Sequence, residues 1–362
     1  MKFGLSAVSL FSGAGGMDVG FEQAGFNVLF ANDIDEAACQ SYNLNHSIKS
    51  HCGDLRSFTD EISKFKGVDV VFGGPPCQGF SVAGKMDPDD ERSQLLWSYL
   101  DTVELLQPKA FICENVKALA VNSRWSNVRE RFFDKAASLG YKTAMLVLNA
   151  ADYGVPQARE RMFIVGLKSD DSSISNNSLL NDLSIELANQ QNSPESIADL
   201  IRRLGPAGSE GNSKVCSAVI TYAKKPVLRK SPYAGMLFNG AGRPINSFGI
   251  ALTLPASMGG NKTPIVDEDE IFNGKDSYVA GYHKSLMQGT PPKQGYAPDC
   301  LRRITVDEAL AIQTFPSNYK LAGSQSAMFR QIGNAVPCEL ARVVAVSLSS
   351  VMNKHSGSLA AA

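Results

Sequence analysis

Short apolar runs alternate with amphipathic stretches through the first half of the chain. The runs at 7–11 (AVSLF), 27–33 (NVLFAND), 68–74 (VDVVFGG), 109–115 (KAFICEN), 143–150 (TAMLVLNA) and 161–167 (RMFIVGL) are rich in Val, Ile, Leu and Phe and too short for helices, so they predict strands. Between them, 35–45, 93–106 and 127–140 space apolar residues three and four apart and predict helices. Near-continuous apolar strands separated by helices belong to a parallel, doubly wound α/β sheet, because such strands are covered on both faces. In that architecture ligands bind at the carboxyl ends of the strands.

The pattern changes after Lys168. Residues 169–196 are rich in Ser and Asn and predict a polar linker with one short helix. From 200 to 300 Gly and Pro abound without a helical period, which predicts a smaller, irregular, β-containing domain. Helical periodicity returns at 302–315 and at 338–352. The expected organisation is an α/β domain over 1–168, a smaller domain over 169–300 inserted behind it, and a segment over 301–355 that returns to the first domain.

Composition narrows the setting. The formal charge of −1 over 362 residues gives no global basic signal, so affinity for nucleic acid has to come from a local patch. The cysteines, at 39, 52, 77, 113, 216, 300 and 338, are odd in number and never spaced CxxC, and the histidines at 46, 51, 283 and 355 do not cluster with them. That pattern predicts a reducing, cytoplasmic setting without disulfides or a metal. No apolar run approaches the roughly 20 residues that span a bilayer, so no membrane part is expected. The opening MKFGLSAVSLF breaks at once into SGAGGMD and reads as a first strand.

Three groups of residues sit at predicted strand ends. In LFSGAGGMDVGF (10–21), Gly13, Gly15 and Gly16 follow a strand and open a helix, which allows close approach of a ligand to backbone N–H groups. A dinucleotide fingerprint would need glycine where Asp18 stands, and a phosphate loop would need GK[ST]. Asp33 ends the next strand, where an acid can hold ribose hydroxyls. A nucleoside ligand without pyrophosphate fits both facts, and S-adenosylmethionine is one. In VDVVFGGPPCQGFS (68–81), Pro75 and Pro76 stiffen the approach to Cys77 while glycines leave it accessible, an arrangement that suits a fixed nucleophile. Cys113 reads instead as a small buried hydrophobe. Glu114 follows AFIC at a strand end, and Arg159 and Arg161 are spaced to share one face of the next strand, so the three predict a charge-assisted network.

These features, taken in order, resemble the DNA (cytosine-5) methyltransferases of bacterial modification systems. The matching motifs are FSGAGG, ND at 32–33, GD at 53–54, GGPPCQGFS, ENV, QARER, RRIT…QTFP and QIGNAVP, and they cover most of the chain outside about 170–300. The resemblance implies a Rossmann-like methyltransferase domain, S-adenosylmethionine as cofactor and double-stranded DNA as substrate. It implies Cys77 as the nucleophile that adds to cytosine carbon 6, Glu114 on the base edge, Arg161 orienting Glu114, and Arg159 in support. For the cofactor it implies Phe11, Ser12, Gly13, Gly15, Gly16, Asp33, Ile34, Asp54, Leu55, Pro75, Leu95, Asn334 and Val336. Since the target atoms are inaccessible inside a duplex, the base must be flipped out, and 81–94 would close over it.

The region 169–300 would be the target-recognition domain. From 202 to 262 it carries basic residues at 202, 203, 214, 224, 225, 229, 230, 243 and 262 against one acid, Glu210, interleaved with Tyr222, Tyr233 and Phe238. That stretch suits phosphate contact and groove reading. The DNA-binding residues expected are Gln78, Ser81, Lys224, Lys225, Arg229, Lys230, Arg243 and Thr253. The implied context is a monomeric modification enzyme beside a cognate restriction endonuclease. A cytosine-5 methyltransferase of transfer RNA and a catalytically silent DNA-binding regulator of this fold are the alternatives.

Overall fold

The computed structural model describes residues 4–76, 94–169 and 174–357. Cys77, Gln78, Ser81 and the segment 81–93 therefore lie outside the described residues. The chain divides into two compact units. The first comprises Met1–Tyr153, Glu160–Asn192 and Val336–Ala362, and the second Gly154–Arg159 and Ser193–Ala335.

The first unit runs β1 (Ser6–Leu10), α1 (Gly16–Gln23), β2 (Asn27–Asp33), α2 (Glu36–Asn45), β3 (Ser50–Cys52), α3 (Thr59–Ser63), β4 (Val70–Gly73), α4 (Gln94–Leu106), β5 (Ala110–Val116), α5 (Lys117–Val121), α6 (Ser126–Ser138) and β6 (Tyr141–Asn149). After β7 (Gln157–Ala158), which belongs to the second unit, it resumes with β8 (Glu160–Lys168) and α7 (Asn176–Ala188). The strands form one seven-stranded sheet in the order β3-β2-β1-β4-β5-β8-β6. Both faces are filled, and Phe111 on β5 lies edge-on to Tyr99, Phe132 and Tyr141.

The sheet is mixed rather than all parallel. β8 runs antiparallel to both β5 and β6. The connection from β6 to β8, residues 150–159, contains no crossover helix, and a parallel return needs a dozen or more residues.

The second unit contains α8 (Ile197–Leu204), β9 (Tyr222–Val227), β10 (Met236–Phe238), β11 (Ala251–Leu252), β12 (Ile265–Asp267), α9 (Glu268–Asn273), α10 (Tyr278–Met287), β13 (Leu301–Arg303), α11 (Val306–Ile312) and α12 (Gln325–Asn334). Its strands pair only in twos, β9 with β10, β7 with β11 and β12 with β13. A separate core gathers Ile220, Leu237, Phe238, Ile265, Tyr282 and Leu301.

The boundaries differ from the expected ones. The polar stretch to Asn192 lies with the first unit and carries the three-turn α7, held by a Ser175 capping box. Residues up to Ala335 cluster with the second unit. Only α13 (Cys338–Gly357) returns, packing on α1 and α7. The stretch Gln325–His355 is long and apolar enough to cross a membrane by composition, yet most of it is buried, and Leu340, Ala341, Val343 and Ala345 of α13 are fully enclosed as in a core helix.

Candidate active site

Strand order reverses between β1 and β4, so the crevice expected of this architecture opens at the carboxyl ends of those two strands. The loop after β1 takes unusual backbone angles there. Gly13 and Gly15 have φ of 55° and 87°, and Phe11, which is not a glycine, has 55°. A non-glycine residue in the left-handed region costs about 1–3 kcal/mol and points to a functional constraint. Ser12 donates its N–H and hydroxyl to the Asn32 carbonyl at 2.8 and 3.2 Å.

Asp33 is fixed by this loop. Gly13 N–H donates to Oδ2 at 2.7 Å, and Asp35 N–H donates to Oδ1 at 2.8 Å. Burial pushes its carboxyl above the ordinary value, against those two N–H donors. Beside it Ile34 is 71% exposed, an apolar side chain left uncovered at a strand end. A Cβ on Gly13 would meet nothing within 4 Å, so the loop faces open space. An anchored carboxylate, an uncovered aliphatic platform and a roomy glycine loop fit the ribose and base of a nucleoside.

The remaining expected cofactor residues of this unit fall in different surroundings. Asp54 caps the following 3-10 turn and accepts from Arg56 Nε at 2.9 Å, which holds its carboxyl down at about 2. Leu55 is buried in the core, Val336 is buried, and Leu95 lies half-buried in the first turn of α4. Asn32, which sequence reasoning treats only as part of a motif, proves to be a positioning residue. Its buried amide donates to the carbonyls of His51 and Gly53 at 2.7 and 3.0 Å and so ties β2 to the Asp54 turn.

At the end of β5, Glu114 Oε1 meets Arg161 Nε at 3.0 Å, with side chains 12% and 15% exposed. Antiparallel pairing places Arg161 opposite Val116, so it shares a face with Glu114 and lies diagonal to it. Gly74 faces the same carboxylate, since a Cβ there would stand 2.7 Å from Oε2. The next residue, Asn115, donates its amide to the Pro75 carbonyl at 3.1 Å and fixes buried Pro75 to β5. Gly74 and Asn115 therefore join the stem of the PPC segment to Glu114. The sequence shows them only as members of the GGPPCQGFS and ENV motifs, because the partner that each serves lies far away in the chain. Cys113 is fully buried, and burial drives its thiol well above the ordinary range, as expected of a packing residue.

Arg159 and Arg161 do not share a strand face, contrary to the expectation from their spacing. Arg159 precedes β8, so strand alternation does not relate it to Arg161. It is fully buried in the second unit, where it donates to the carbonyls of Leu254 and Gly333 at 3.1 and 2.8 Å. In the same unit Asn334 is exposed at the end of α12, and the exposed Thr253 donates to the Ala158 carbonyl at 2.7 Å.

The basic stretch also divides. Arg202, Arg203 and Lys214 pair with Asp199, Glu195 and Asp307, whereas Lys224, Lys225, Arg229, Lys230, Arg243 and Lys262 are exposed. The interleaved aromatics pack inward. Phe238 is 2% exposed, and Tyr222 and Tyr233 pack against the second core.

The model of the C-5 cytosine-specific DNA methylase family matches residues 5–350. The Type II methyltransferase M1.HphI of Haemophilus parahaemolyticus is 30% identical over 356 residues, covering 94% of this chain and 86% of that protein. M.NgoPII of Neisseria gonorrhoeae is 29% identical over 366 residues, covering 97% of each. The solved structure of the S. pombe Dnmt2 methyltransferase aligns with a TM-score of 0.66 over 97% of this chain and 99% of that one, at 18% identity, a likeness of fold. With the match running through β1, the Asp33 strand end, the Glu114–Arg161 pair and α13, the chain belongs to the C-5 cytosine-specific DNA methylase family and is a DNA (cytosine-5) methyltransferase.

Proposed function

We propose that the protein methylates carbon 5 of a cytosine flipped out of double-stranded DNA, with S-adenosylmethionine as donor and Cys77 as covalent nucleophile. The observation that carries this reading is the Glu114–Arg161 pair, a shielded carboxylate braced by a guanidinium beside the stem of the PPC segment. When bound, S-adenosylmethionine supplies the methyl group. Gly13, Gly15 and Gly16 leave it room, Asp33 holds the ribose hydroxyls, and Ile34 packs on the adenine.

Cytosine carbon 5 is a weak nucleophile until the ring is activated. The Cys77 thiolate adds to carbon 6, which turns carbon 5 into an enamine-like centre. Glu114 holds nitrogen 3 and the amino edge of the base and passes the proton that stabilises the adduct. Arg161 keeps Glu114 in place and screens its charge. Loss of the carbon 5 proton and expulsion of Cys77 then release the product.

The second unit serves as the target-recognition domain, with Lys224, Lys225, Arg229, Lys230 and Arg243 on the phosphates. The Type II names of the relatives support a role as the modification enzyme of a restriction–modification system, acting as a cytoplasmic monomer beside a cognate endonuclease. Bisulfite sequencing of plasmid DNA from a host expressing the protein tests the reading. Methylcytosine at one position of one short recurring sequence is expected, and unmodified DNA from a host making folded protein would overturn it.

A further inference from the structure

Lys293 is held in a cage of tyrosines. Its Nζ lies 6.0, 5.2 and 5.9 Å from the ring centroids of Tyr222, Tyr278 and Tyr282. The ammonium donates to the Tyr278 hydroxyl at 3.0 Å, and the Lys293 N–H donates to the Tyr282 hydroxyl at 3.3 Å. Tyr222 and Tyr278 also join hydroxyl to hydroxyl. A lysine on a polar surface ordinarily extends into water, so three rings and one hydroxyl around the side chain, with a second hydroxyl on its backbone N–H, indicate that it fixes the backbone carrying it.

That backbone is the loop 289–296, GTPPKQGY, in which every residue is exposed and no acid occurs. It opens at Gly289 and has Gly295 next to its last residue, both with left-handed φ, 88° and 84°. Its far end is hydrogen-bonded to the approach of β9. The Gly295 carbonyl accepts from Tyr222 N–H at 3.1 Å, and Ala297 N–H donates to the Ile220 carbonyl at 3.0 Å. The loop thus extends the sheet edge that carries the exposed Lys224 and Lys225. Gln294 is exposed, and Tyr296 is 77% exposed.

We propose that this loop is a duplex-contacting element of the recognition unit, in which Gln294 and Tyr296 meet the DNA and Lys293 is the positioning residue that sets their pose. Lys224 and Lys225, on the same edge, meet the phosphates. Ordered, acid-free, polar and flanked by lysines, the loop is complementary to a polyanion and presents an amide that can read a base edge. The inference rests on the reading of the protein as a duplex-DNA methyltransferase.

The test uses the full chain and a short duplex carrying the sequence mapped by bisulfite sequencing. Lys293→Met is expected to raise KM for the duplex about fivefold or more, with kcat and the affinity for S-adenosylhomocysteine unchanged, and Lys293→Arg to restore it. Tyr296→Ala and Gln294→Ala are expected to raise the same KM or relax the site preference without lowering Tm, since both side chains are exposed. Wild-type duplex KM and site preference in Tyr296→Ala and Gln294→Ala would overturn the inference even if Lys293→Met fails to fold. Absence of methylation by the wild type would sink the underlying function instead, so the two failures are distinguishable.

Discussion

Gly73 and Gly74 are neighbours whose substitution should have opposite consequences. A Cβ on Gly74 would stand 2.7 Å from Glu114 Oε2, against about 3.4 Å for ordinary contact, so the carboxylate would retreat by the difference, about 0.7 Å. Its other oxygen is held by Arg161 Nε at 3.0 Å, so the retreat distorts that pair. Misplacement of a catalytic group by ~1 Å costs ~100-fold in rate, so Gly74→Ala is expected to lower kcat about 10- to 100-fold, or ~1.4–2.7 kcal/mol of barrier. Stability should hardly change, because the atom displaced is the tip of a side chain. A Cβ on Gly73 would instead stand 2.2 Å from the Leu10 carbonyl oxygen, which belongs to the paired strand β1. Gly73→Ala must part the two strands and should cost about 1–3 kcal/mol of stability or more. Transfer of tritiated methyl groups to plasmid DNA measures the first effect, and thermal unfolding measures the second. Wild-type turnover in Gly74→Ala, or a Tm loss equal to that of Gly73→Ala, would refute the reasoning.

Further expectations concern the two halves of the site and the core. Arg161→Met leaves a shielded Glu114 without its cation and should reduce kcat about 100-fold or more while S-adenosylhomocysteine binding, followed by calorimetry, persists. Asp33→Ala should do the reverse, weakening cofactor binding about tenfold or more with duplex binding retained, because its carboxylate orders Gly13 and Asp35. Alanine at Lys224, Lys225, Arg229 and Lys230 together should weaken duplex binding and flatten its dependence on salt, read by fluorescence anisotropy, with cofactor affinity unmoved. Burial raises the Asp18 carboxyl from 3.8 to about 6, so the folded protein holds that proton more tightly than the unfolded chain. Its contribution is greatest below pH about 4 and is lost as pH rises to about 6. Asp18→Asn should remove that part of the Tm profile, and an unchanged profile would contradict the assignment.

Much of the first unit is legible from pattern alone. Continuous apolar runs bounded by turns mark the six longer strands to within a few residues, because burial on both faces demands them. Direction is not legible in the same way. The run 161–167 looks like any parallel strand, and only the missing crossover before it forces β8 to run antiparallel. The pairing of Glu114 with Arg161 is legible from their strand ends, but the expected partnership with Arg159 assumed that β8 had already begun there. Tyr222 and Phe238 look like groove readers beside their lysines. The rings instead pack on the second core while Lys224 and Lys225 stay exposed, and strand alternation does not announce this, because Tyr222 and Lys224 are two residues apart and share a face. Gly74, Asn32 and Asn115 appear in the sequence only as members of motifs, and the role of each is set by a partner elsewhere in the chain.

The most direct test of the central claim is covalent trapping. Fluorine at carbon 5 cannot leave as a cation, so a duplex carrying 5-fluorocytosine at the mapped target position should, with S-adenosylmethionine present, hold the enzyme in a complex that survives denaturation. Mass spectrometry of the digested complex is expected to place the nucleotide on Cys77, and Cys77→Ser should form no adduct while still binding S-adenosylhomocysteine. A wild-type enzyme that methylates ordinary duplex yet gives no adduct at Cys77 would contradict the account.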